Sequence, residues 1–213
     1  AIEPEILDLI LFLKKLGCQI KISGRKIIIS GRSLTFERTN HKVIFDRIEA
    51  GTYLIAGSLL SKKINIKQID PKFLKCEIET LKKMGVKLLT SKNSITVLKS
   101  NKLKKISLIT KPYPGFPTDL QAQFMVLMTQ AEGLSKIKES IFENRFMHVP
   151  ELRRMGAKIK IKDKIAYISG PSKLNGAEVM ATDLRASVSL VLAGLIAKNR
   201  TIVNRIYHLD RGY

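Results

Sequence analysis

Three stretches of this chain follow one plan: an amphipathic helix, a glycine stop and a strand hairpin. They are Leu9–Ser30 (LILFLKKLGCQIKISGRKIIIS), Ile78–Val97 (IETLKKMGVKLLTSKNSITV) and Val149–Ser169 (VPELRRMGAKIKIKDKIAYIS). Their stop glycines, Gly17, Gly85 and Gly156, lie 68 and 71 residues apart. A unit of that length cannot bury its own apolar face, so the copies must pack on one another. Glycine past the last helical turn supplies the left-handed C′ conformation, and the Lys or Arg before it suits the negative helix end. The alternation that follows, as in Ile20-x-Ile22 and Ile159-x-Ile161, has strand period.

A second helix type interleaves with the first. Asp46–Ala50 (DRIEA), Thr118–Ala122 (TDLQA) and Thr182–Ala186 (TDLRA) align without gaps. Each starts an apolar stripe: Ile48, Ile55, Ala56, Leu59; Leu120, Phe124, Leu127, Met128, Ala131; Leu184, Val188, Val191, Leu192, Leu195. Offsets of +4, +7, +8 and +11 describe one buried helix face. Strands are expected before these helices at Val43–Phe45, Ser107–Thr110 and Glu178–Ala181, and after them at Ile64–Ile66, Lys136–Lys138 and Thr201–Val203. The unit is therefore strand-helix-strand-helix-strand-strand, giving an α/β fold with helices inside and sheets outside or layered. Residues 1–44 hold only the tail of one unit, with a hinge near Lys42–Asp46.

Helix starts favour an N-cap acceptor with an acidic or amide residue three places on. Asp46 with Glu49 and Thr118 with Gln121 read as capping boxes. Thr182 with Arg185 breaks the rule by placing a cation where the helix end is already positive. A rule broken in one copy only is where function is expected: either Arg185 pairs with Asp183 or extends into solvent, or free amides beside a guanidinium bind an anion. Three prolines within Pro112–Pro117 rigidify the loop that delivers Thr118 and Asp119. Ile141–His148 mixes polar and aromatic residues between a strand and a helix, and Asp210-Arg211-Gly212 forms a charged turn near the end.

Charge narrows the partners. The chain carries 38 Lys+Arg against 18 Asp+Glu, a formal +20. Most of the basic residues are Lys at polar places of the apolar pattern, such as Lys14-Lys15, Lys82-Lys83 and Lys158-x-Lys160-x-Lys162. Zinc-finger spacing, an Arg-rich stripe and a ribonucleoprotein motif are missing, so solvated surface charge is the reading and no nucleic acid is expected as partner. A basic nucleic-acid-binding module on the same fold is the alternative from another class. Cys18 and Cys76 follow no metal or redox spacing and are expected to be structural, buried thiols of a reduced, cytoplasmic protein. The longest apolar run, around Val188–Ala197, is too short and too interrupted for a membrane span.

Six segments carry a family resemblance: FPTDLQAQF (Phe116–Phe124), IFENRFMHVPEL-RMGA (Ile141–Ala157), GAEVMATDLRAS-SLVLAG (Gly176–Gly194), NRIYH-DRGY (Asn204–Tyr213, with Asn204 where the family has Asp), DRIEAGTYLIA (Asp46–Ala56) and EPEI-D---FL--LG (Glu3–Gly17). In these the chain resembles UDP-N-acetylglucosamine 1-carboxyvinyltransferases, the enolpyruvyl transferases that commit UDP-N-acetylglucosamine to peptidoglycan synthesis. The related 5-enolpyruvylshikimate-3-phosphate synthases share the fold and are the alternative within it. The resemblance implies an inside-out α/β barrel, the substrates UDP-N-acetylglucosamine and phosphoenolpyruvate, and no cofactor or metal. It implies that Asp119 contacts the sugar 3′-hydroxyl as general base. It surrounds phosphoenolpyruvate with Arg145, Arg185 and Arg211, places Asp183 beside them, and gives Thr118, Ile141 and Phe142 to the sugar nucleotide. The family's phosphoenolpyruvate-binding Lys and its loop with a Cys general acid have no counterpart here, since neither Cys18 nor Cys76 lies in such a loop. The resemblance therefore implies a fragment: residues 1–44 as the end of a first domain, residues 45–213 as most of a second, inactive alone.

Overall fold

In a computed structural model, residues 1–31, 38–100 and 102–212 are described. The chain divides into two compact units, Ala1–Asp46 and Arg47–Tyr213. In the first, α1 (Pro4–Lys15) begins on a proline, whose missing N–H costs nothing at a helix start. It leads into an antiparallel hairpin of β1 (Gln19–Ser23) and β2 (Lys26–Ser30). His41 Nε2 lies 3.1 Å from Asp8 Oδ1 in the same unit.

The second unit holds the repeat. Its first copy runs α2 (Arg47–Leu60), β3 (Ile64–Lys67), α3 (Lys75–Lys83), β4 (Lys87–Thr90) and β5 (Ser94–Leu98), with a sheet in the order β3-β5-β4. The next copy is β6 (Leu103–Lys104), β7 (Ser107–Ile109), α4 (Gln121–Thr129), β8 (Ala131–Lys138), α5 (Val149–Arg154), β9 (Lys158–Lys162) and β10 (Ile165–Gly170). Its sheet runs β6-β8-β10-β9, and β7 pairs in parallel with β8. A third copy supplies β11 (Glu178–Met180), α6 (Leu184–Ile196) and β12 (Ile202–Asn204), with β11 and β12 parallel. A strand, a helix and a parallel strand recur in the second and third copies, the connection a parallel pair requires.

Helices α2, α4 and α6 pack on one another. Every residue of α4 is buried, because it is covered by the two other helices and by the sheet of β8 and β10. Leu54, Ile55, Phe124, Leu127, Met128 and Leu190 are fully buried there. The lysines stand outside: Lys82, Lys83, Lys136, Lys138, Lys158, Lys160 and Lys162 are all exposed. The fold is thus α/β with helices inside and sheets outside.

The three stop glycines adopt φ of +89° at Gly17, +90° at Gly85 and +95° at Gly156. Each closes its helix with the same two hydrogen bonds. Gly17, Gly85 and Gly156 N–H donate to Lys14, Lys82 and Arg153 carbonyls, and the next residues donate to Leu13, Leu81 and Leu152 carbonyls. This Schellman pattern pairs carbonyls that the helix end leaves open.

Four expectations need correction. Val43–Phe45 forms no strand, and Val43 is 73% exposed, so a three-residue alternation without a paired edge does not make one. Thr118 is not an N-cap: Pro117 precedes the 3-10 turn Thr118–Leu120, and neither amide atom of Gln121 has a hydrogen-bond partner among the described residues. At α6 the cap falls one residue later than Thr182, on Asp183, whose Oδ1 accepts from Arg185 N at 2.8 Å and Ala186 N at 2.9 Å. Leu195, the last place of its stripe, is 54% exposed in the final turn of α6, while Leu190, off the stripe, is buried.

Candidate active site

The Pro-rich loop folds back on itself before α4. Lys111 N–H donates to the Phe116 carbonyl and Gly115 N–H to the Pro112 carbonyl. Gly115 is required there, because a Cβ would sit 2.5 Å from the Lys111 Cβ. Phe116 is buried against Phe124 of α4, edge to face at 4.7 Å between centroids. The loop is also held from α2. Arg47, 8% exposed, places its guanidinium 5.3 Å from the Tyr113 ring centre and 3.5 Å from the Glu77 carboxylate.

Asp119 emerges from this support in the 3-10 turn before α4 and meets two guanidiniums. Arg145 Nη2 donates to Asp119 Oδ1 at 2.6 Å, and Arg185 Nε lies 3.4 Å from the same oxygen. Arg145 comes from the loop after β8 and stands over the Phe142 ring, 4.9 Å from its centre. Arg185 comes from the first turn of α6. The starts of α4 and α6, equivalent places in two copies of the repeat, therefore meet at one carboxylate. Side chains of Asp119, Arg145 and Arg185 remain 40%, 23% and 20% exposed, so the group is reachable from solvent. A carboxylate flanked by two fork-shaped cations can accept a proton while the cations hold an anion.

Asp183 sits beside this group as the α6 cap. Its carboxylate occupies the Arg185 and Ala186 amides, so an anion here would meet guanidiniums rather than the free helix amides expected from sequence. The cap also explains the tolerated cation, since a carboxylate at the N-terminus offsets it. Ile141 and Phe142 lie in the loop after β8, 40% and 50% exposed, and both backbone N–H groups are given to Glu139. Arg211 closes a 3-10 turn over Ile206–Arg211, and its side chain lies outside the described residues. Cys18 and Cys76 are unbridged and half-buried rather than buried. Burial pushes the Cys76 thiol up, aided by the Glu77 charge, which disfavours the thiolate. Among the described residues no His, Cys, Asp and Glu side chains gather into a group that could hold a metal ion. Nor is any helix among them long and apolar enough to cross a membrane.

Two contributors escaped the sequence reading. Glu139 is 1% exposed, and the alternation of β8 could have found it: Ala131, Ser135 and Ile137 point inward, and Glu139 continues that face. His148, 2% exposed, stands where no periodicity operates. Its Nε2 has no hydrogen-bond partner among the described residues. Burial pushes its pKa from 6.5 down to about 4, outweighing the Asp183 carboxylate, which acts the other way; the Arg145 guanidinium adds to the lowering.

A pH dependence follows. The folded ring stays neutral, while the unfolded ring takes up a proton near pH 6.5. Stability from this residue is complete above pH 6.5, falls as pH drops towards 4 and levels off below. The loss between pH 7 and pH 4 is about 3 kcal/mol. Unfolding free energies from urea titrations of the wild-type chain and His148→Gln should diverge by this amount between pH 7 and pH 4. Parallel curves would place the dependence elsewhere.

The chain belongs to the EPSP synthase (3-phosphoshikimate 1-carboxyvinyltransferase) family, which it matches over residues 1–213. It is 55% identical over 213 residues to UDP-N-acetylglucosamine 1-carboxyvinyltransferase of Pelagibacter ubique (strain HTCC1062), covering 100% of this chain and 51% of that protein. Against the protein of the same name from Histophilus somni (strain 129Pt), identity is 50% over 212 residues, covering 99% and 50%. Among solved structures, the enolpyruvyl transferase NikO from Streptomyces tendae superposes with a TM-score of 0.91 at 31% identity, covering 100% of this chain and 51% of that one. EPSP synthase from Acinetobacter baumannii shares the fold, with a TM-score of 0.68 at 20% identity over 94% of this chain and 50% of that one. The chain spans about half the length of the curated relatives it matches.

Proposed function

We propose that this chain is the end of the first domain and most of the second of an enzyme that transfers the enolpyruvyl group of phosphoenolpyruvate to the 3′-hydroxyl of UDP-N-acetylglucosamine. In this reading residues 1–44 close the first domain, residues 45–213 form most of the second, and the enzyme works in the cytoplasm, on the first committed step of peptidoglycan synthesis. The observation that carries it is the Asp119 carboxylate held by Arg145 and Arg185 at the meeting of two helix starts. The names of the relatives direct it to the sugar nucleotide.

Asp119 accepts the proton of the 3′-hydroxyl as its oxygen attacks C2 of phosphoenolpyruvate and C3 takes a proton from the general acid in the rest of the enzyme; loss of a C3 proton then re-forms the C2–C3 double bond as the C2–O bond to phosphate breaks. Arg145 and Arg185, with Arg211, hold the substrate carboxylate and phosphate and stabilise the charge that moves onto the leaving group. Asp183 fixes the backbone of Arg185. Thr118 and Ile141 flank the sugar nucleotide, and Phe142 lines its pocket. With its N–H given to Glu139, Ile141 offers the ligand its carbonyl. No cofactor, metal or nucleic acid takes part.

Phosphate release from phosphoenolpyruvate by the full-length protein should depend on UDP-N-acetylglucosamine. The 213 residues alone should release none, because the general acid and the phosphoenolpyruvate-binding Lys belong to the rest of the enzyme. Release that depends on shikimate 3-phosphate instead, or turnover by the isolated chain, would overturn the proposal.

A further inference from the structure

Glu139 follows the last residue of β8, and four donors converge on its carboxylate. Thr110 Oγ1 at 2.8 Å, Ile141 N at 2.8 Å and Phe142 N at 3.2 Å reach Oε1, and Thr118 Oγ1 reaches Oε2 at 2.9 Å. The Thr110 hydroxyl in turn accepts from Ser140 N at 2.9 Å, and Glu139 N–H donates to the Lys164 carbonyl. These donors belong to three segments: the end of the strand before the Pro-rich loop, the turn that carries Asp119, and the loop between Glu139 and Arg145. Burying a carboxylate is costly unless donors replace its water, and an apolar residue at this strand end would fill the same space at lower cost. What the carboxylate adds is geometry. One oxygen fixes the Ile141–Phe142 backbone and the other fixes the residue next to Asp119.

We propose that Glu139 is a positioning residue for the transfer reaction: it sets the distance between the Asp119 turn and the loop that meets the sugar nucleotide. This rests on the enolpyruvyl-transfer reading. The proton acceptor and the nucleotide contact lie on different loops, and Glu139 is bonded to both. Glu139→Asp keeps the charge but withdraws it by one methylene, so the two loops cannot both be held. Glu139→Gln keeps the length and an acceptor at Oε1, and the Thr118 hydroxyl can turn to accept from the new amide. Thr110→Val removes one donor and leaves the carboxylate in place.

The test combines native-state hydrogen exchange with steady-state kinetics on the full-length protein. In Glu139→Asp, exchange at the Ile141 and Phe142 amides should rise at least tenfold while the α4 core stays protected. Its kcat should fall on the order of 10- to 100-fold, the cost of misplacing reacting groups by about 1 Å, with KM for phosphoenolpyruvate within twofold of wild type. Thr110→Val should shift both readouts in the same direction by less, and Glu139→Gln should restore most of both. Unchanged exchange in both Glu139→Asp and Thr110→Val, or faster exchange with wild-type kcat, overturns the positioning role. Absence of transfer in the unsubstituted protein overturns the enolpyruvyl reading itself, a failure separable from the first because exchange is measured without substrate.

Discussion

Asp119→Asn in the full-length protein should lower kcat for enolpyruvyl transfer by about 10²- to 10⁴-fold, the usual worth of a positioned general base. The substitution keeps the shape of the side chain and leaves an amide oxygen where Oδ1 now meets Arg145 at 2.6 Å and Arg185 at 3.4 Å. It removes the charge and the capacity to take a proton. The arginines should stay in place and lose a competing carboxylate, so KM for phosphoenolpyruvate should hold or fall. Phosphate release under saturating substrates measures the first effect and titration of phosphoenolpyruvate the second. A rate within a few-fold of wild type would remove Asp119 as base. A large rise in KM with little change in kcat would make it a binding group instead.

Phe124→Ala should destabilise the chain by about 3–5 kcal/mol, the largest loss expected from a single truncation here. Phe124 is fully buried in α4, and its ring meets Phe116 edge to face at 90° and 4.7 Å. The substitution loses apolar burial, leaves a cavity between packed helices and removes an aromatic pair worth about 0.5–1.5 kcal/mol beyond its area. Because Phe116 belongs to the loop that delivers Asp119, the damage reaches the site as well. Urea unfolding should show a lower midpoint with an unchanged slope. Phe124→Leu should cost less than half as much. A loss below about 1 kcal/mol for the alanine variant would mean that its neighbours close the gap.

The features legible in the sequence are the ones decided locally. The stop glycines, the stripe of α2 and the outward lysines depend on periods of two and 3.6 and on backbone conformation, which neighbours in sequence dictate; the expected single face of α4 does not hold, since α4 is buried on every side and Ala131, the last place of its stripe, opens β8. Capping failed where a side chain had a choice. The Thr118 hydroxyl reaches Glu139, 21 residues away, instead of its own helix, and Asp183 outcompetes Thr182. Composition hid Glu139, because a glutamate reads as solvent-facing even where strand alternation turns it inward. Asp119, Arg145 and Arg185 each stood out through the repeat register or the family resemblance. Their meeting at one oxygen depends on how α4 and α6 pack, and no local pattern records that.

The repeat has a consequence for polarity. Arg47, Asp119 and Asp183 occupy the same register place at three helix starts, and Glu49, Gln121 and Arg185 occupy another two residues on. The backbone plan is copied while the charges are permuted: cation then anion, anion then neutral, anion then cation. Helix starts that share a register thereby differ in charge. One backbone plan therefore presents three different charge pairs, so a group arriving at one helix start meets a partner that the other two do not offer.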